Sequence, residues 1–125
     1  MKALYEEVVR RFPEVLQDDY EDLPYSLMGS LVDWLTTLSP SELTPEVIQR
    51  VVVFTKWCEE LPRGETAADD PYTVLVVGFY EPLFGSEATR CLIPRLISKD
   101  DLIRNAEYLK TWVGVENYQH VLEKY

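Results

Sequence analysis

Apolar residues recur along this chain at the spacing of helix faces. From Thr44 the sequence runs TPEVIQRVVVFTKWCEELP, with Val47, Val51, Phe54, Cys58 and Leu61 three or four residues apart. Thr44 suits an N-cap. Pro45 suits the first helical position, where its missing N–H costs nothing. The run VVVF therefore belongs to a helix despite its β-branched residues, and Pro62 and Gly64 end it.

Four other stripes repeat the pattern. Leu4 with Val8, and Tyr5 with Val9 and Phe12, predict a helix ended by Pro13. Leu27, Leu31, Trp34, Leu35 and Leu38 predict a second, and the S-P-S-E sequence at Ser39 then has the capping-box pattern of a short turn. Leu102, Ala106, Leu109 and Val113 lie behind a Ser98 cap with Asp101 at N3, and Gly114 stops that helix. Val115, Tyr118, Leu122 and Tyr125 make the last stripe.

The stretch DDPYTVLVVGFYEPLF reads two ways. Its β-branched and aromatic residues suit a strand. However, no alternation of polar and apolar positions appears, and no other segment reads as a strand. A lone strand could not satisfy its backbone in a core. Asp70 and Pro71 repeat the cap-and-proline device, and Tyr72, Leu75, Val76, Phe79, Tyr80 and Leu83 fit helical spacing. Glu81 is the only charge there, which predicts a central, buried helix that Pro82 ends or kinks within a turn. The expected fold is a single all-α domain over residues 1–125. It is a compact array of about six to seven helices in antiparallel pairs, with Tyr72–Tyr80 at its centre. No fixed-period repeat is visible.

Composition adds function classes to exclude. The chain has 125 residues, 46% of them hydrophobic and 27% charged, which is globular rather than disordered. Its net charge of −10 opposes binding to nucleic acid or anionic lipid. Glu6, Glu7, Arg10 and Arg11 interrupt the N-terminus where a signal peptide needs an apolar run, and no run approaches the ~18 residues of a membrane span. Cys58 and Cys91 are far apart and outside any CxxC, so two reduced, buried thiols in a cytoplasmic protein are expected.

Motifs for catalysis are missing. One histidine and two distant cysteines do not make a zinc set, and Glu116 with His120 on one helix face is an incomplete one. The acidic run Asp18-Asp19-Tyr20-Glu21-Asp22 lacks the spacing and glycine of a calcium loop. Gly29-Ser30 and Gly85-Ser86 are not nucleophile elbows, and no glycine-rich phosphate loop is present. No catalytic residue, metal site or cofactor is therefore assigned.

Charge distribution is the one distinctive feature. Between Arg11 and Arg50 there is no lysine or arginine, while Glu14, Asp18, Asp19, Glu21, Asp22, Asp33, Glu42 and Glu46 all lie in that span. The span fits an ordinary solvated face. It also fits a docking surface for a basic protein, with Asp18, Asp19, Glu21 and Asp22 steering and Tyr20 and Tyr25 anchoring. Trp34 falls on an apolar stripe and is expected in the core. Arg90 to Lys110 has the opposite balance, with Arg90, Arg95, Lys99, Arg104 and Lys110 against Asp100, Asp101 and Glu107. That asymmetry would support head-to-tail or homodimeric contact.

Several stretches in order carry a family resemblance. RFPEVLQDDYEDLPYSLMGSLVDWL resembles the opening of a family of small, acidic bacterial proteins of unknown function, with its R-F-P-E turn, acidic segment, L-P and W-L. VVGFYEPL and LIPRLISKDDL resemble that family's buried helix and its L-G-P-x-L segment, with Ile93-Pro94 where the pattern favours Gly-Pro. The resemblance spans most of the chain and implies an all-helical fold. Such proteins are similar to toxin-immunity proteins, which bind and block a partner.

Two function classes follow. The first is a non-enzymatic protein-binding module that masks a basic partner. The second is a small enzyme or ligand-binding protein with a carboxylate- and aromatic-lined pocket. A deep polar cavity lined by Asp or Glu would favour the second, and a shallow acidic surface the first.

Overall fold

The computed structural model describes residues 2–15, 20, 22–67 and 69–125, and these contain helices and no strand. Helix α1 spans Lys2–Arg11, α2 Pro24–Thr37 and α3 Pro45–Glu60. The central helix α4 is continuous through Pro71–Leu75, Val76–Tyr80 and Glu81–Leu83. Five short helices follow: α5 Glu87–Arg90, α6 Ile93–Leu96, α7 Lys99–Arg104, α8 Ala106–Val113 and α9 Val115–Leu122.

The caps act where the sequence places them. The Thr44 side chain accepts the Val47 N–H, and the Ser98 side chain accepts that of Asp101. At the S-P-S-E turn, Glu42 Oε1 accepts the Ser39 N–H at 2.9 Å. Gly114, at φ 92°, separates α8 from α9 in a conformation that a side chain would strain.

Asp70 does more than cap. Its carboxylate accepts the N–H and hydroxyl of Thr73, the Gly64 N–H and a two-pronged bond from Arg63 at 2.8 Å. The residues before α4 are thus folded around one buried carboxylate. Arg63 holds that carboxyl well below the usual range, with Thr73 and Gly64 adding to the effect.

Helix α4 is the most apolar element, with Val74, Leu75, Phe79 and Leu83 fully buried. Its middle turn is a π-helix, in which the Glu81 N–H reaches the Val76 carbonyl five residues back. Pro82 supplies the reason. It has no N–H to donate, and its ring crowds the carbonyl four residues earlier, so a wider turn relieves it. The helix ends one residue after Pro82. Gly78 lies in the wide turn against α2, and a Cβ there would stand 2.8 Å from Met28 Cβ.

The helix count exceeds the expected six to seven among the described residues, for two local reasons. The segment after Gly85 winds into α5 and α6, with Ser86 capping α5. The predicted Ser98–Gly114 helix also breaks at Asn105, which leaves helical geometry at ψ 17°. One core cluster runs from Leu4 in α1 to Val121 in α9.

Candidate functional site

One acid of the span, Glu14, meets a cation, the Arg50 that bounds the span in sequence. Arg50, in the first half of α3, donates to the Arg11 carbonyl and to the Glu14 carboxylate. Its guanidinium lies 5.1 Å from the Phe12 ring centre and 5.7 Å from that of Trp34. A stretch without cations in sequence is therefore not without one in space. The proximity follows from packing α1 and α2 on α3, which no local pattern reveals.

Beside this cluster is an open recess of about 410 Å³, lined by Glu14, Val15, Tyr20, Ser30, Asp33, Trp34 and Thr37. Trp34 is half-buried rather than a core residue, with its ring 5.7 Å from that of Phe12. It packs against the core and also lines the recess. Tyr20 is also half-buried and packs against the core. Asp22 and Asp33 are exposed.

The residues expected to form a docking patch divide into three groups. Tyr20 lines the recess, and Asp22 is an exposed neighbour in sequence. Asp18, Asp19 and Glu21 lie outside the described residues. Tyr25 is not part of the recess lining. Its hydroxyl donates to the Ala67 carbonyl at 2.8 Å, tying α2 to the segment before α4, and burial followed by the charge of Asp70 raises its pKa. Glu14, Asp33 and Trp34 were legible as members of the span, but only the fold groups them.

A second open recess of about 410 Å³ lies between α3 and the α6–α7 segment. It brings Glu59, Asp100 and Asp101 together with Lys56, Arg95 and Arg104. Glu59 accepts the Tyr80 hydroxyl at 3.1 Å, and Asp101 pairs with Arg104 at 3.1 Å. Burial and the Asp101 carboxyl push Glu59 up to about 7, against the pull of Tyr80 and Arg104. Burial, with the carboxylates of Glu59 and Asp101 adding, also raises the Tyr80 hydroxyl. Sequence reasoning missed Glu59, although it continues the Ile48, Val52, Thr55 side of α3. That continuation was the available signal.

The cysteines require a correction. Cys58 is buried, but Cys91 is exposed. Leu92 and Ile93 take the core positions after α5 and turn Cys91 outward. Burial pushes the Cys58 thiol far up. Glu116 and His120 are both exposed on α9. Among the described residues no three His, Cys, Asp or Glu side chains converge to hold a metal ion, and no helix is long and apolar enough to cross a membrane.

Comparison with known protein families, curated proteins and solved structures finds no match for this chain.

Proposed function

We propose that this chain is a non-enzymatic protein-binding module whose acid-and-aromatic recess receives a basic side chain of a protein partner. The reading is that of a bacterial immunity-type protein, cytoplasmic, masking a basic partner. The observation that carries it is the grouping of Glu14 and Asp33 with Tyr20 and Trp34 around one open recess. Carboxylates steer a cation, and aromatic faces hold it once water is displaced. Beside the recess the chain already seats one guanidinium on two of its lining residues, with Arg50 bonded to Glu14 and near the Trp34 ring.

The test is capture of a partner from the source bacterium, followed by association kinetics at two salt concentrations. Asp22→Asn/Asp33→Asn, and a second variant neutralising Asp18, Asp19, Glu21 and Asp22, are expected to slow association. The loss should be largest at low salt, because screening sets in beyond about 8 Å at physiological ionic strength. Variants that associate as fast as wild type at low salt would defeat the reading.

A second reading rests on the other recess. Glu59, held near neutrality beside Tyr80 and Asp101, has the proton affinity of a general acid or base. It would make the chain a small enzyme or ligand-binding protein. A small-molecule screen by NMR should then shift the signals of Glu59 and Arg104, and Glu59→Gln should abolish the response. A screen that leaves those signals unmoved would count against it.

A further inference from the structure

A third cleft, of about 540 Å³, lies on another part of the surface, between the end of α4 and the α8–α9 corner. Its volume is in the range of small-molecule sites, which are typically ~300–1,000 Å³. Val77, Pro82, Phe84 and Trp112 are among its apolar lining residues. Trp112 is 65% exposed, the largest exposed hydrophobic side chain among the described residues. Its ring leans on Tyr108 with centres 6.3 Å apart, which holds it at the cleft edge.

The polar groups are few and of different kinds. Glu81 accepts the Tyr108 hydroxyl at 2.7 Å. Arg90 donates to Asn117 at 3.2 Å. Among the described residues no carboxylate pairs with Arg90, so most of its guanidinium donors are left for a ligand. An arginine oriented by an amide, in a cleft with an exposed indole and apolar walls, matches an amphiphilic anion.

We propose that this cleft binds a small carboxylate with an apolar, aromatic body. The carboxylate meets Arg90, where the bond is charge-assisted and can be bidentate. The aromatic body lies against Trp112 and Pro82, where ring contact adds to burial. Glu81 repels the ligand's carboxylate, which directs that end to Arg90 and leaves the apolar body to Trp112 and Pro82.

The probes are 3-phenylpropionate and its neutral amide, 3-phenylpropionamide, titrated calorimetrically into the whole chain. The acid is expected to bind saturably and the amide about tenfold more weakly. Arg90→Gln should remove the acid's advantage. Trp112→Ala should weaken both ligands alike, and truncating so exposed a side chain leaves the core untouched. The proposal is overturned if the acid gives no saturable heat below about 10 mM. It is equally overturned if the acid keeps its advantage in Arg90→Gln, or if Trp112→Ala binds both ligands like wild type.

Discussion

The Tyr80 hydroxyl donates to Glu59 Oε1 across 3.1 Å, joining the central helix to the end of α3 beside a second carboxyl, Asp101. The bond crosses from the most buried helix to a half-open recess. It ties the stability of the core to the protonation of a surface-accessible acid.

Stability should therefore fall as pH rises. In the folded chain Glu59 keeps its proton up to about pH 7, whereas an ordinary glutamate releases it near 4.5. Between those values the folded state binds more protons than the unfolded state. The contribution is fully present below the window and lost above it. The thermal midpoint is expected to be a few degrees higher at about pH 5 than at about pH 8. Glu59→Gln keeps a neutral side chain there and should remove most of that difference. An unchanged pH slope in the variant would show that the Glu59–Asp101 pair is not its source.

Asp70 carries the opposite dependence. Its carboxyl is held low, so its contribution is present above the ordinary value of 3.8 and is lost as pH falls below it. At neutral pH, Asp70→Ala removes an N-cap and leaves the Gly64 and Thr73 donors without their acceptor. The expected cost is about 2–3 kcal/mol in urea unfolding. The deficit should shrink at about pH 2.5. A variant within about 0.5 kcal/mol of wild type at neutral pH would show that water replaces the carboxylate.

Gly78→Ala tests the α2–α4 contact. Alanine in a helix interior normally gains up to about 1 kcal/mol over glycine. Here the added Cβ meets Met28 Cβ at 2.8 Å, an atom fixed to the α2 backbone. A net loss of about 1–3 kcal/mol is expected. A stabilised variant would show that the two helices separate freely.

The two thiols should react in different phases. With a thiol reagent such as Ellman's, Cys91 is expected to react in the native protein and Cys58 only on unfolding. Two equivalents of rapid reaction in buffer would contradict the burial of Cys58.

Helix identity was legible locally. Thr44-Pro45, Asp70-Pro71 and Ser98 announce their own helices, because a cap acts within three residues of itself. The burial of most of α4 was legible for the same kind of reason, since a helix apolar nearly all round leaves little face for water. Even the site of the π-turn has a local cause in Pro82, although no periodicity distinguishes it from an α-helical turn. The tertiary structure decided what pairs across distance. Arg50 reaches Glu14, Tyr25 reaches Ala67, Glu59 meets Tyr80, and Arg90 meets Asn117. Each joins residues at least 21 positions apart, and their meeting depends on how helices cross rather than on how each forms. The same holds for charge. Sequence counts the acids between Arg11 and Arg50, but potential depends on distance in space, and folding brings Arg50 onto one of them, Glu14.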